Sequence, residues 1–534
     1  MKRRTFIKSA AGTGLAAGAG VFGILKYPRG ANAAGWGEWP SDRLDLMVPE
    51  DLRPESVLEL TFHGGISPWE TFYSVPGWGQ GNNTFLNLFE DEPVNSPSNF
   101  YDAVCGYGDT DYVTPFAEAG GETVNLGPWL YPLKQRPDIT SRMRILVQRH
   151  EVLAHEGANP LSFTGFALGN PRMAGIGAPI QRYFSEQPGG GRAVPYSFIL
   201  YPGGEGLSAF NVSSASTIGF HPGSARPLNV TVSADSVLAD LLSRPGLDQS
   251  DPEAFDAAVS YYQRAYENRF RQGGVGKVAR SLERGNYEFA NFARQNASEL
   301  IDVLPQSLFQ PIPGATCPAA PPQVQNEVEV DMPGMMANVA RSLLTRETNR
   351  ARYVNWIDTG IIPRPEVGYD VHNEHVLYSS RSVPHTLQRL AEIVRDPNNP
   401  TANDDQLIDL DRTMIVLNME FGRTPYRQVA GSSGTNHWPY GYVNVVIGGP
   451  IRDGDSRSPG ASIYGYITEE SGGYAPNDVT DSLLTPKENR IMLLQAMGIY
   501  PFSSQSYAVS DVRFTPDEID SLARVRDELW GLDV

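Results

Sequence analysis

The feature that most narrows what this chain can fold into is a set of short, nearly unbroken apolar runs spaced far apart along it. They cover residues 57–63, 143–148, 197–201, 353–357, 414–417 and 443–447, and turn-forming residues bound most of them. Runs of this length read as strands. Between them lie stretches with helical spacing: 179–186, 334–346, 383–394, 490–497 and much of 251–304. In the last of these, Phe255, Val259, Tyr262 and Tyr266 recur, followed by Val278, Leu282, Phe289 and Phe292. Strands separated by helices and long crossovers predict an α/β fold, with a mostly parallel sheet covered by helices on both faces. Residues 34–54 read as an irregular lead-in. Residues 66–140, rich in Gly, Pro, Asn and Asp, read as long surface loops, and 311–322 as a Pro/Ala loop. No internal repeat is present.

Composition removes several classes of function. The 534 residues carry a net charge of −18, from 43 basic and 61 acidic residues. That balance leaves no basic patch and predicts no nucleic-acid partner. Aromatic content of 10% argues against a disordered chain, and two cysteines cannot make a disulfide scaffold. Cys105 and Cys317 could pair in an oxidising compartment; two separate thiols are the alternative.

The first 33 residues hold six basic residues and no acid. Lys2-Arg3-Arg4-Thr5-Phe6-Ile7-Lys8, a Gly/Ala-rich stretch and Ala31-Asn32-Ala33 together resemble a twin-arginine export signal with a small-residue cleavage site. The mature protein is then expected to be periplasmic or secreted. No stretch is apolar and long enough for a stable membrane span.

The eight histidines carry most of the functional signal. His63 closes the first strand, and His150 and His155 follow the second. His372 and His375 follow the strand at 353–357, beside Asp370, and His437 precedes the one at 443–447. In open α/β sheets ligands bind outside the carboxyl ends of strands. Neutral imidazole and carboxylate together suit a divalent ion. Asp370, His372, Glu420 and His437 are the candidate metal ligands, with His155 and Glu70 as candidate catalytic groups. Each has a bland alternative: a solvated loop for 370–375, a strand cap for His63, packing for His150, a partner of Arg423 for Glu420. His221, in a Phe-His-Pro-Gly turn, and His385, on a helix face, read as structural.

Several motifs resemble an exported bacterial family, domain of unknown function 1501. They are Met419-Glu420-Phe421-Gly422-Arg423-Thr424-Pro425 followed by Gly434-Thr435-Asn436-His437-Trp438-Pro439, then Gly368-Tyr369-Asp370-Val371-His372, Gly64-Gly65-Ile66-Ser67-Pro68-Trp69-Glu70-Thr71-Phe72, His155 with Thr164-Gly165, and Ile463-Tyr464-Gly465. That family is similar to the alkaline phosphatase and sulfatase superfamily. The resemblance implies an alkaline-phosphatase-like α/β/α sandwich over 34–534, with a helical insertion at about 205–350. It also implies a divalent metal ion (zinc, calcium or manganese) and a small-molecule or polymer ester substrate. By the same resemblance Glu70 stands nearest the superfamily's first acid, Asp370 and His372 form its metal segment, Glu420 takes the Asp of its Asp-His pair, and His437 is its last histidine. Phe421 stands where that pair has histidine, Asn436 where an Asp usually precedes the last one, and no Ser or Cys nucleophile motif is present. Two functions are therefore open: a metal-dependent hydrolase of phosphate or sulfate esters, and a non-catalytic cell-envelope binding or scaffold protein.

Overall fold

The structure is a computed structural model. It describes residues 35–78, 113–202 save 171, 191 and 193, 226–233, 252–272, 296–312, 330–361, 368–426 save 373 and 374, 428, 434–476 save 471, and 484–533 save 504 and 505. The segment read as an export signal lies outside these residues, as do Cys105, Cys317, His221 and the loop at 313–322.

The strands are β1 (Ser56–Phe62), β2 (Thr114–Ala119), β3 (Glu122–Leu126), β4 (Met143–Gln148), β5 (Ser197–Pro202), β6 (Leu228–Val232), β7 (Tyr353–Asp358), β8 (Thr413–Met419), β9 (Gly422–Arg423), β10 (His437–Trp438), β11 (Tyr442–Ile447) and β12 (Ser462–Tyr464). Eight of them form one sheet in the order β12-β4-β11-β8-β1-β7-β5-β6. Only β11 runs against its neighbours, so the mostly parallel sheet is as the apolar runs require. Strands β1, β4, β7, β8 and β11 are buried along their whole length. That is the cost of covering both faces, and why they read as continuous apolar runs.

The helices are α1 (His155–Thr164), α2 (Gly177–Glu186), α3 (Pro252–Gln272), α4 (Ala297–Val303), α5 (Met332–Thr345), α6 (His375–Glu392), α7 (Pro486–Ala496) and α8 (Glu518–Ala523). One apolar cluster joins Leu58, Leu60 and Phe62 of β1 to Met335, Val339 and Leu343 of α5 and Val383, Leu387 and Leu390 of α6. On the other face Val57 and Val416 meet Phe163 of α1, Ile180 of α2 and Ile491 and Leu494 of α7. Local signals set the helix starts. Asp331 caps α5 by accepting Gly334 N–H at 2.9 Å. For α7, Glu488 accepts Thr485 N–H at 2.8 Å and Pro486 occupies the first turn.

Two expectations need correction. Residues 66–140 are not all surface loop: they contain the β2–β3 hairpin, and Ile66, Trp69, Phe72 and Tyr73 are fully buried. These apolar residues are scattered among turn formers, so no period reveals them. The stretch at 205–350 is not wholly an added helical piece, because β6 pairs with β5 and α5 packs on the sheet. The strands β6 and β12 were not anticipated; both are short and lie at the sheet edges.

Candidate metal centre

The carboxyl ends of the parallel strands converge on one edge, and the antiparallel β11 begins there, so its approach β10 delivers His437 to the same place. The geometry depends on close backbone packing. Gly64 has φ +97°, and a Cβ on it would lie 2.3 Å from the backbone nitrogen of Asp370. Gly65 has φ +74°, and its Cβ would lie 2.3 Å from the Phe421 carbonyl oxygen. Any side chain at either position would push the 368–372 or the 420–423 segment off the end of β1.

Asp370 is the hub. Its Oδ1 lies 2.9 Å from His437 Nε2, 3.0 Å from His372 Nε2 and 2.6 Å from Arg423 Nη2, and its Oδ2 lies 3.0 Å from His155 Nε2. The ligand atoms of His155, Asp370 and His437 all lie within 4.8 Å of one another. Glu420 stands behind His155: its Oε1 lies 3.0 Å from His155 Nδ1 and accepts Gly64 N–H at 2.9 Å. Fully buried Arg423 also donates to the carbonyls of Gly64, Gly65 and Tyr369, fixing the three segments to one another. The arginine therefore pairs with Asp370; Glu420 is held by His155 and Gly64.

The second ring nitrogen of each histidine decides what the first can do. His437 Nδ1 lies 2.6 Å from the Leu153 carbonyl, and His155 Nδ1 faces the Glu420 carboxylate. Both partners only accept, so both Nδ1 atoms carry protons, and in the neutral rings the lone pair is on Nε2, the state in which it could ligate an ion beside Asp370. His372 Nδ1 is held at 2.7 Å by Gln428. A backbone carbonyl or carboxylate behind the imidazole is the usual support of a metal-ligating histidine. Without an ion, each Nε2 must instead be protonated to meet Asp370. That sets three imidazole rings and the Arg423 guanidinium around the Asp370 and Glu420 carboxylates.

The electrostatics follow. Burial would raise the Asp370 pKa, but hydrogen bonds from His155, His372 and His437 and the charge of Arg423 hold it far below the usual carboxylate range. Burial opposes protonation of His155, yet the bonds to Asp370 and Glu420 outweigh it and raise its pKa to about 10. The Asp370 bond also raises that of His372.

The remaining candidates fall elsewhere. His150 accepts Val152 N–H at Nδ1 and donates to the Glu420 carbonyl from Nε2, at 3.1 and 2.7 Å; it is a satisfied neutral ring that positions Glu420. His385 pairs with Asp331 at 2.8 Å, away from the hub. The His375 side chain lies outside the described residues. His63 is buried with its ring centroid 6.1 Å from that of His155, and burial lowers its pKa. Phe421 stacks on His437 at 4.3 Å, forming an apolar wall. Glu70 is fully buried, its carbonyl accepting Trp129 N–H at 3.2 Å, and it is not among the three residues whose ligand atoms converge. Asp370, His155, His372, His437 and Glu420 are thus brought together. The hub's arginine went unassigned in the sequence, although it lies in the same motif as Glu420.

Residues 54–462 match the family model described as Protein of unknown function (DUF1501). The chain belongs to the DUF1501 family. No curated protein and no solved structure matches it. Among the described residues, no helix is long and apolar enough to cross a membrane.

Proposed function

We propose that this DUF1501 protein is a metal-dependent hydrolase of phosphate or sulfate esters with an alkaline-phosphatase-like fold, exported by the twin-arginine route to the periplasm or beyond. The observation that carries the metal reading is the convergence of His155, Asp370 and His437, whose ligand atoms all lie within 4.8 Å of one another. The donor set of imidazole nitrogen and carboxylate oxygen fits zinc or manganese, and less well calcium, which prefers oxygen alone. Asp370, His155 and His437 would hold the ion, with His372 beside them. A divalent ion supplies Lewis-acid polarisation of an ester oxygen. The residues around it have separate tasks. Glu420 orients His155 and keeps its Nδ1 protonated. Arg423 pins Asp370 against the ends of β1 and β8. His63, kept neutral by burial, is an imidazole able to take up a proton beside the cluster. Glu70 buttresses the segment that follows β1.

Elemental analysis of protein purified without chelator tests this. About one equivalent of a divalent metal is expected in the wild type and none in Asp370→Ala or His437→Ala, with turnover of an aryl phosphate or aryl sulfate confined to the wild type. A folded, metal-free wild type would overturn the hydrolase reading and favour a binding or scaffold role in the envelope.

A further inference from the structure

Two cavities of ligand size open at opposite ends of the sheet, and their walls differ in charge. The larger, of about 960 Å³, lies where β4 and β8 begin, and three arginines line it against six aspartates. The smaller, of about 410 Å³, lies where β4 ends, between residues 149–152, Leu161 of α1, the start of α7 and residues 510–513. Small-molecule sites span roughly 300–1,000 Å³, so it has room for a ligand. Three cations line it, Arg149, Lys487 and Arg513, against two acids, Glu151 and Asp511. Both acids are engaged. Glu151 Oε1 lies 3.1 Å from Arg149 Nη2, and Asp511 Oδ1 lies 3.1 Å from Lys487 Nζ, with Arg172 also at 3.4 Å from Asp511. Buried Glu488, next to Lys487, is taken up by backbone, accepting Thr485 N–H at 2.8 Å and Arg513 N–H at 3.0 Å. The charge of Arg513, an exposed residue, is left in excess. In a chain of net charge −18, this wall is locally positive.

The donors suit an anion. Arg149 is fixed: its Nη1 donates to the Ala475 carbonyl at 2.8 Å, and its guanidinium lies over the rings of Tyr440 and Tyr474. It lends its charge to the wall. Lys487 spends one of its three donors on Asp511, and Arg513 brings the fork of a guanidinium. The cavity also shares a wall with the metal centre. His150 lines it and donates from Nε2 to the carbonyl of Glu420, whose carboxylate meets His155. Three residues on, the Leu153 carbonyl holds His437 Nδ1. Cavity wall and metal ligand are thus joined through the single residue Glu420.

We propose that this cavity is an oxyanion subsite, in which Lys487 and Arg513 take a phosphate or sulfate group other than the one at the metal centre. The group is either a second charged group on the ester, which makes the substrate polyanionic, or a free anion. The first source rests on the hydrolase reading; the second stands without it.

Inorganic phosphate, titrated by calorimetry into purified His437→Ala protein, reads the cavity apart from the metal centre. Binding is expected there, and binding at least about tenfold weaker once Arg513→Glu is added, since a charge-assisted bond is lost. Lys487→Gln should weaken it as well. Should His437→Ala fail to fold, metal-stripped wild type takes its place. No phosphate binding, or an affinity that neither Arg513→Glu nor Lys487→Gln changes, overturns the proposal. Turnover separates the two sources, by comparing an aryl bisphosphate with an aryl monophosphate. A preference for the doubly charged ester that falls at least about tenfold in Arg513→Glu assigns the subsite to the substrate. An unmoved preference, with phosphate binding still dependent on Arg513, assigns it to a free anion. A protein without metal or turnover whose phosphate binding still depends on Arg513 would sink the hydrolase reading and leave the subsite standing.

Discussion

Two carboxylates at the heart of this sheet are surrounded by cations in opposite ways. Glu59, in the middle of β1, is fully buried. It accepts from Arg490 Nη1 at 2.8 Å, Tyr353 Oη at 2.5 Å and Asn418 Nδ2 at 2.5 Å. None of these donors gives up its proton near neutral pH. Asp370, at the strand ends, is 21% exposed and faces three imidazole nitrogens, which a metal ion can ligate in place of protons. The first is a closed network whose charge is fixed. The second is partly open to solvent and held, without an ion, by Arg423 and by imidazole protons that a metal would displace. Depth in the sheet separates a group that holds the fold from one that can do chemistry.

The contrast breaks most sharply by substitution. Arg490→Met leaves Glu59 buried without its cation and is expected to lower stability by about 3–5 kcal/mol, with metal content unchanged. His437→Ala is expected to do the reverse, abolishing metal binding while costing far less stability, because its ring is partly exposed and Arg423 still holds Asp370. Denaturant unfolding and elemental analysis on both variants check this. Loss of metal in a folded Arg490→Met would show that the two networks are one.

A smaller effect comes from pH. In chelated protein the His155 pKa stands at about 10 against an ordinary 6.5. A raised pKa means that the folded state binds the proton more tightly than the unfolded state. The stabilisation is complete below pH 6.5 and is lost as pH climbs through 10. Metal binding requires neutral imidazole, so the loaded protein should gain stability over the same interval. Thermal melts from pH 6.5 to 10 should therefore slope downward with chelator and upward with zinc. His155→Gln should flatten the chelated slope. Parallel slopes in the two conditions would mean that no ion competes for these protons.

The sheet was legible because strands buried on both faces are mostly apolar, and five of them are buried along their whole length with only isolated polar residues such as Glu59, Asn418 and Asn444. The histidines could be placed at one edge for the same reason: a polar residue directly after a wholly buried strand has to emerge at its end. Which histidine does what was not legible. His150 and His437 look alike in sequence, and they differ only in whether Nδ1 meets a backbone N–H or a backbone carbonyl. The carbonyl belongs to Leu153, far from His437 along the chain. Arg423 was read as a possible partner of Glu420; that it pairs with Asp370 instead is a property of the packed state.

The gentlest test concerns how the fold supports the hub. Asp358 ends β7 and is fully enclosed. It accepts from Tyr369 Oη at 2.5 Å, Thr386 Oγ1 at 2.9 Å and Gly360 N–H at 3.2 Å. Burial nonetheless pushes its pKa up to about 6. Tyr369 is the residue before Asp370, so this bond anchors the hub's backbone from below while Arg423 grips the Tyr369 carbonyl from above. Tyr369→Phe deletes the hydroxyl and leaves a buried carboxylate short of a donor, which should cost about 1–3 kcal/mol. Because Arg423 keeps its hold, metal stoichiometry should survive while affinity drops, and competition against a chelator of known strength measures that drop. Unchanged affinity would assign the whole alignment of Asp370 to Arg423. A loss of metal as complete as in His437→Ala would make the buried Asp358 network part of the metal centre, and the division between a closed structural network and an open chemical one would have to be redrawn one layer deeper.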